Sequence, residues 1–383
     1  MCRYAKDLCH ETIRQTRRFS RKLQWKKEGK LSIAEFKGFL AVFYNMGLIR
    51  KVSIEEYWNT HNPSQSTPWF RCMFSRNRYQ NILKFLYLVD KKKIPKRNDL
   101  SYKPSLRFKP LIDFVNRKYL HYYNPRRELS VDESLVGTKG KTSMLQYIPS
   151  KRSRFGVKFW MLVESVTGYV LQMTVYQGKR LDPTHVGTLQ GTNVVMNLMK
   201  DSRLLGKGFH VFADSFFSSL NLANKLLWER IYLTGTLRKN RPMPQMIKNA
   251  RPHAGDAVYA RQGQNMPCCF RDHNRQKPVT LVSTFYNATN TLNGKPRIIC
   301  AYNTFMGGVD LSDQMIVAYN DHRKCSKVWK KIIYHIFHRN MLISYILYCQ
   351  NTSQPIMSRL HFTQSVIESL ASTYLTKETP VLT

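Results

Sequence analysis

The apolar residues of this chain change their spacing once, near residue 128, and that change limits the fold more than any figure of composition. Before it they recur at helical intervals. "LSIAEFKGFLAVFYNMG" opens on Ser32 and Glu35 in capping-box spacing, and Phe36, Phe39, Leu40 and Phe43 follow three and four apart. Ser53 with Glu56 offers a second box in "SIEEYWNT". "SRNRYQNILKFLYLVD" lines up Tyr79, Ile82, Leu83 and Leu86, and Ile112, Val115 and Tyr119 repeat the pattern. The first 30 residues, with "RQTRRFSRKLQWKKEGK", read as a basic helical arm. After residue 128 come short runs rich in Val, Tyr, Phe and Leu: "ELSVDESLV", "VKFWMLVES", "YVLQMTVYQ", "FHVFAD" and "IYLTGTLR". The second and third are joined through "VTG", which suits a hairpin. Helical stretches lie between "GKRLD" and "GFHVF" and at "SLNLANKLLWER", so a helical N-terminal third leads into a mixed α/β layer. Residues 239–295, rich in Pro, Gly, Asn and Arg, read as inserted, and a basic and apolar helical tail follows.

The charge narrows the partners. Sixty-one Lys and Arg against 24 Asp and Glu leave a net +37 over 383 residues. Such a field repels itself unless it meets a polyanion, which makes nucleic acid the leading partner, ahead of an anionic membrane surface. The most hydrophobic stretch, "IIYHIFHRNMLISYILYC", carries His335, His338, Arg339 and Asn340, whose burial in lipid is costly, so it reads as a core helix and no membrane partner is expected. His335 and His338 share a helical face, yet no third ligand accompanies them, and core or snorkelling histidines are expected there. The start of the chain lacks the apolar run of a secretory signal, and the eight cysteines include no CxxC, so no zinc site is evident and a reduced intracellular protein is expected.

Four carboxylates stand in unusual surroundings. Asp132 lies inside the strand-like "LSVDESLV", where aspartate is depleted. Asp214 ends "FHVFAD", at the carboxyl end of a strand, where open α/β sheets place their ligands. Asp310 and Asp313 start a helix in "GGVDLSDQM". Brought together, such groups would repel unless a hard cation sat between them, and Mg²⁺ prefers oxygen ligands and substrate phosphates. Two such ions can serve a phosphodiester displacement. Equally, Asp132 can be a turn residue, Asp214 a helix cap and Asp310 an N-cap with Asp313 favouring the helix dipole. Spacing leaves both readings open.

Three longer blocks carry a resemblance. "SVDESLVGTKGKTSMLQYIPSKRSRFGVKFWMLVESVTGYVLQMTVYQGK", "FADSFFSSLNLANKLLWERIYLTGTLRKNRPMP" and "GGVDLSDQMIVAYNDHRKCSKVWKKIIYHI", in this order, resemble the piggyBac family of transposases over essentially the whole chain from the first capped helix onward. The resemblance implies an α/β fold: a ribonuclease-H-like catalytic core over 128–238 and 296–319, an insertion domain at 239–295, and a split all-α dimerisation and DNA-binding domain at 1–127 and 320–383. It implies that Asp132, Asp214 and Asp310 form the catalytic triad and, with Asp313, hold a two-metal Mg²⁺ site. It also places Trp329 near the DNA ends. Lys151, Arg152, Arg154 and Lys158 after the first aspartate, and Arg238, Lys239 and Arg241 after the second, suit contacts to DNA phosphates. The implied activity is that of a DDD-type transposase, a polynucleotidyl transferase and endonuclease. It would cut and join double-stranded DNA at transposon ends and TTAA targets, as a homodimer in the nucleus. The family's cysteine-rich C-terminal zinc-binding region has no counterpart before "KETPVLT", and its acidic N-terminal extension is missing. That leaves a truncated copy or a host-retained derivative, and the alternative function is that of a domesticated transposase-derived nuclear DNA-binding protein without catalytic activity.

Overall fold

The computed structural model describes residues 31–149, 151, 153–183, 189–288, 291–292, 294–321 and 325–378. The basic arm expected over the first 30 residues lies outside them. Two compact units emerge: residues up to Phe114 with those from Ile316 onward, and Val115–Met315.

The first unit begins with α1 (Ile33–Leu48). Ser32 caps it as its sequence predicts, the hydroxyl oxygen accepting the Glu35 N–H at 3.0 Å. The carboxylate of Glu35 takes Arg78 instead of returning to the cap, with Nε at 2.5 Å and Nη2 at 2.8 Å. The expected box at Ser53 and Glu56 does not form either. That segment is a 3₁₀ turn over Glu55–Tyr57, held where the Tyr57 hydroxyl donates to the Ile49 carbonyl at 2.8 Å. Next come α2 (Pro68–Met73) and α3 (Arg76–Phe85), and then α4 (Lys109–Tyr122), which runs on into the second unit from Val115. Tyr79, Ile82, Leu83 and Leu86 are buried, as are Ile112, Val115 and Tyr119, so helical spacing identified the inward faces.

The second unit is built on one sheet. Its strands are β1 (Glu128–Gly137), β2 (Leu145–Tyr147), β3 (Phe155–Glu164), β4 (Val170–Val175), β5 (His210–Ala213), β6 (Tyr232–Thr236), β7 (Ala257–Tyr259), β8 (Met266–Phe270) and β9 (Val279–Ser283). Among the described residues their order is β2-β3-β1-β5-β6-β9-β8-β7, with β4 also pairing β3. β3 and β4 form the expected hairpin; buried Glu164 accepts the turn N–H groups of Val166 and Thr167, each at 3.0 Å. β1, β5 and β6 are parallel, joined through α5 (Gln190–Asp201) and α6 (Leu220–Trp228). Residues 239–295 contribute α7 (Gln245–Lys248) and β7 to β9, and this part continues the same sheet, because "VTLVS" pairs antiparallel with β6. Met266, Cys268, Phe270 and Leu281 then pack with Ile298 and Ile299 of α8 (Arg297–Phe305), which leads into α9 (Gly308–Ala318).

The chain ends in α10 (Val328–Asn351) and α11 (Arg359–Glu378). No described helix is long and apolar enough to cross a membrane. In α10 His338 is a core residue and His335 is partly buried, in line with the expectation. Burial holds His335 well below the ordinary imidazole range, and His338 Nε2 lies 3.7 Å from Asp321 Oδ1, beside the Phe43 ring. α11 lies on α1 where Gly38 gives way to the Tyr374 ring, which stacks on Phe74 at 4.8 Å.

The Glu35–Arg78 pair is largely shielded from water, with 12% of each side chain exposed. Arg78→Met, which strands one buried charge, is expected to lower stability by about 3 kcal/mol in urea unfolding, and adding Glu35→Leu to recover most of that. A single variant as stable as the parent would contradict this account.

Candidate active site

Strand register brings the first two aspartates together. Val131 of β1 pairs with Ala213 of parallel β5, so the next residue on each strand, Asp132 and Asp214, stand side by side. Ala213 pairs with Gly235 of β6, which sets Thr236 beside Asp214 in the same way. Alternation puts Ser130, Asp132 and Ser134 on one face of β1, and α9 is pinned to that face at two points. A Cβ on Gly308 would lie 2.5 Å from Ser130 Oγ, and Asp313 Oδ1 accepts the Ser134 hydroxyl at 2.9 Å. Asp310 lies between these anchors. It is not an N-cap: α9 starts at Gly308, which puts Asp310 inside its first turn. Its Oδ1 meets Lys151 Nζ at 3.1 Å.

Asp132 is 7% exposed. Burial, then the neighbouring Glu133 carboxyl, push its pKa up to about 9, against the pull of Lys151. Burial also raises Asp214, although its Oδ1 accepts the Phe216 N–H at 2.9 Å and Arg238 acts the other way. For Lys151, burial lowers the pKa, and the summed attraction of Asp132, Asp310 and Glu133 outweighs it. Two groups here escaped sequence reasoning. Glu133 should face away by alternation, yet its carboxyl raises the pKa of Asp132, while its backbone N–H donates to Asp132 Oδ1 at 2.8 Å. Tyr302 of α8 brings its hydroxyl to 3.5 Å from Thr236 Oγ1. Its pKa is pushed up to about 12 by burial first and then by Asp214 and Asp132. In "RIICAYNTF" it reads as one more core aromatic, and only the partner strands reveal its position.

The donors are carboxylate oxygens, which suit a hard cation, and buried Asp132, whose ionisation burial opposes, is the group that such an ion would relieve. Among the described residues, however, no three His, Cys, Asp or Glu side chains come close enough together to hold a metal ion. Asp132 and Asp214 are neighbours by register, Asp313 is engaged by Ser134, and Asp310, its side chain 54% exposed, is engaged by Lys151.

The basic residues divide. Arg238 Nε reaches Ser215 Oγ at 3.3 Å and Arg241 Nη2 donates to the Phe216 carbonyl at 3.2 Å, so both flank the turn that carries Asp214. Arg154 and Lys239 are exposed. Lys158 lies over Trp160 at 3.9 Å and Tyr176 at 4.5 Å, where burial lowers its pKa; its ammonium rests on an aromatic shelf. Arg152 lies outside the described residues. Trp329 belongs to the helical unit, its ring tilted against Tyr87 with centroids 5.1 Å apart and Arg107 over it. Beside it Lys330, pulled down to about 8 chiefly by burial, donates to the carbonyls of Leu83 and Lys84 at the end of α3.

A family model described as Transposase IS4 matches residues 4–378. PiggyBac transposable element-derived protein 3 of Homo sapiens is 27% identical over 313 residues, 76% of this chain and 50% of that protein. PiggyBac transposable element-derived protein 2 of Homo sapiens is 23% identical over 329 residues, 80% of this chain and 53% of that protein. The chain thus spans about half the length of these curated relatives. Among solved structures, the cryo-EM structure of a piggyBac transposase synaptic complex with hairpin DNA matches with a TM-score of 0.87. It is 24% identical and covers 98% of this chain and 80% of that one, a likeness of fold.

Two outcomes are expected. Gly308→Ala drives a methyl into Ser130 Oγ and to 3.0 Å from Ser165 Cα, and should lower the stability of the parent by about 1–3 kcal/mol in urea unfolding. Ser130→Ala in the same chain should recover part of this. An unaffected single variant would remove α9 from its place on β1. For Asp132 the folded pKa is raised above that of the unfolded chain, so the unfolded chain ionises first and this group's contribution to stability falls as pH rises from about 4 to about 9. Asp132→Asn lacks that slope, and its thermal midpoint in EDTA should gain on the parent across this window; a constant difference would contradict the buried setting.

Proposed function

Since the chain belongs to the Transposase IS4 family, in its piggyBac type, we propose that it is a DNA transposase that cuts and joins strands at TTAA sites. The observation that carries this reading is the register of β1 on β5, which sets Asp132 beside Asp214 under a helix that bears Asp310. On this reading the sheet is a ribonuclease-H-like core. Asp132 and Asp214 would hold Mg²⁺ together, with Asp310 joining them once Lys151 turns to a DNA phosphate. Bound there, Mg²⁺ would supply positive charge to the attacking and leaving oxygens of a phosphodiester.

The remaining work falls to the chain's own residues. Arg238 and Arg241, fixed at the Asp214 turn, approach the backbone on one side and Lys151 on the other, contacts that position DNA without reading its sequence. Water attacks phosphorus at the transposon end, the P–O3′ bond breaks, and the released 3′-hydroxyl attacks target DNA in turn. Trp329 and the basic helical unit would hold flanking duplex, in a homodimer acting in the nucleus. One observation favours the rival, a DNA-binding derivative without chemistry: Asp310 is paired with Lys151 in place of a carboxylate cluster.

The test is cleavage of a labelled duplex with a TTAA junction in Mg²⁺, by the parent and by Asp310→Asn. Cleavage by the parent, reduced at least about 100-fold in the variant, is the expected result. Salt-sensitive binding without cleavage, equal for both proteins, would establish the rival.

A further inference from the structure

Tyr302 is held in two ways. Its ring packs on the apolar cluster of Met266, Cys268, Phe270, Leu281, Ile298 and Ile299, which fixes the residue without any help from its hydroxyl. That hydroxyl projects to the strand ends, where its contact with Thr236 Oγ1 is 3.5 Å long against the roughly 2.7–2.8 Å usual between hydroxyl groups. The O–H is therefore only weakly committed, and it feels the charges of both Asp214 and Asp132. Phenylalanine would serve the packing as well. An oxygen-rich ligand brought to two carboxylates needs donors around its remaining oxygens, and a neutral phenol is such a donor.

We propose that Tyr302 is a substrate-positioning residue, its hydroxyl donating a hydrogen bond to a non-bridging oxygen of the scissile phosphate held beside Asp132 and Asp214. This rests on the transposase reading above. No proton is transferred; the phenol fixes the phosphorus for in-line attack, as Lys151 and Arg238 neutralise its charge from other sides.

Tyr302→Phe and the parent are compared in single-turnover cleavage of the TTAA duplex, with an ordinary or a phosphorothioate scissile phosphate. The variant should melt with the parent and cleave about 10- to 100-fold more slowly, the equivalent of one hydrogen bond to a charged group. Sulfur should then slow the variant less than the parent, because the two changes strike one contact. Equal rates, or fully additive effects of sulfur and mutation, would overturn the proposal. If the parent does not cleave, the catalytic reading has failed, and Tyr302 is judged by the gain in duplex affinity on adding Ca²⁺. A smaller gain in the variant supports its contact with phosphate; equal gains, or none in the parent, overturn it.

Discussion

The parallel pairing of β1 with β5 is the constraint on which the rest depends. With Val131 opposite Ala213, two carboxylates that would otherwise avoid each other become neighbours, one of them buried. A slip of one residue would turn Asp132 to the opposite face and leave Asp214 alone at a strand end. Burial makes both carboxyls harder to ionise, and outweighs the local backbone N–H groups whose hydrogen bonds each accepts. The sheet imposes this arrangement, through pairings that run from β2 to β7.

A second constraint fixes what covers the pair. α9 approaches β1 so closely that only glycine fits at 308, and the Ser134–Asp313 hydrogen bond ties the helix about one and a half turns further on. Asp310 lies between. Lys151 neutralises this acidic corner, within reach of Asp132, Asp310 and Glu133. In a chain with so few carboxylates, the placing of Asp132 beside Asp214, below the helix that bears Asp310, is the departure that calls for a function.

Much of this was legible in the sequence, and the reasons differ by element. Ser32 and the Tyr79, Ile82 and Leu83 stripe were readable because caps and helical faces are local. Strand runs such as "VKFWMLVES" were readable because both faces are buried and the run is mostly apolar, unbroken from Phe159 to Val163. The Ser53–Glu56 box failed because the same short pattern also fits a 3₁₀ turn. Residues 239–295 read as inserted because polar loops separate their short strands: β7 and β8 pair within the segment, and only β9 reaches a partner outside it, β6. At the site, Asp132, Asp214 and Asp310 stood out as acids in apolar settings. Glu133 and Tyr302 did not, since only tertiary placement distinguishes them from a surface glutamate and a core tyrosine.

On the function proposed, the β1–β5 register makes a divalent-cation site of Asp132 and Asp214. Calorimetric titration of Mn²⁺ into the full chain tests it without reference to cleavage, by comparing the parent with Asp132→Asn and Asp214→Asn. The account predicts saturable binding by the parent that either substitution abolishes. Equal heats from all three proteins would contradict it.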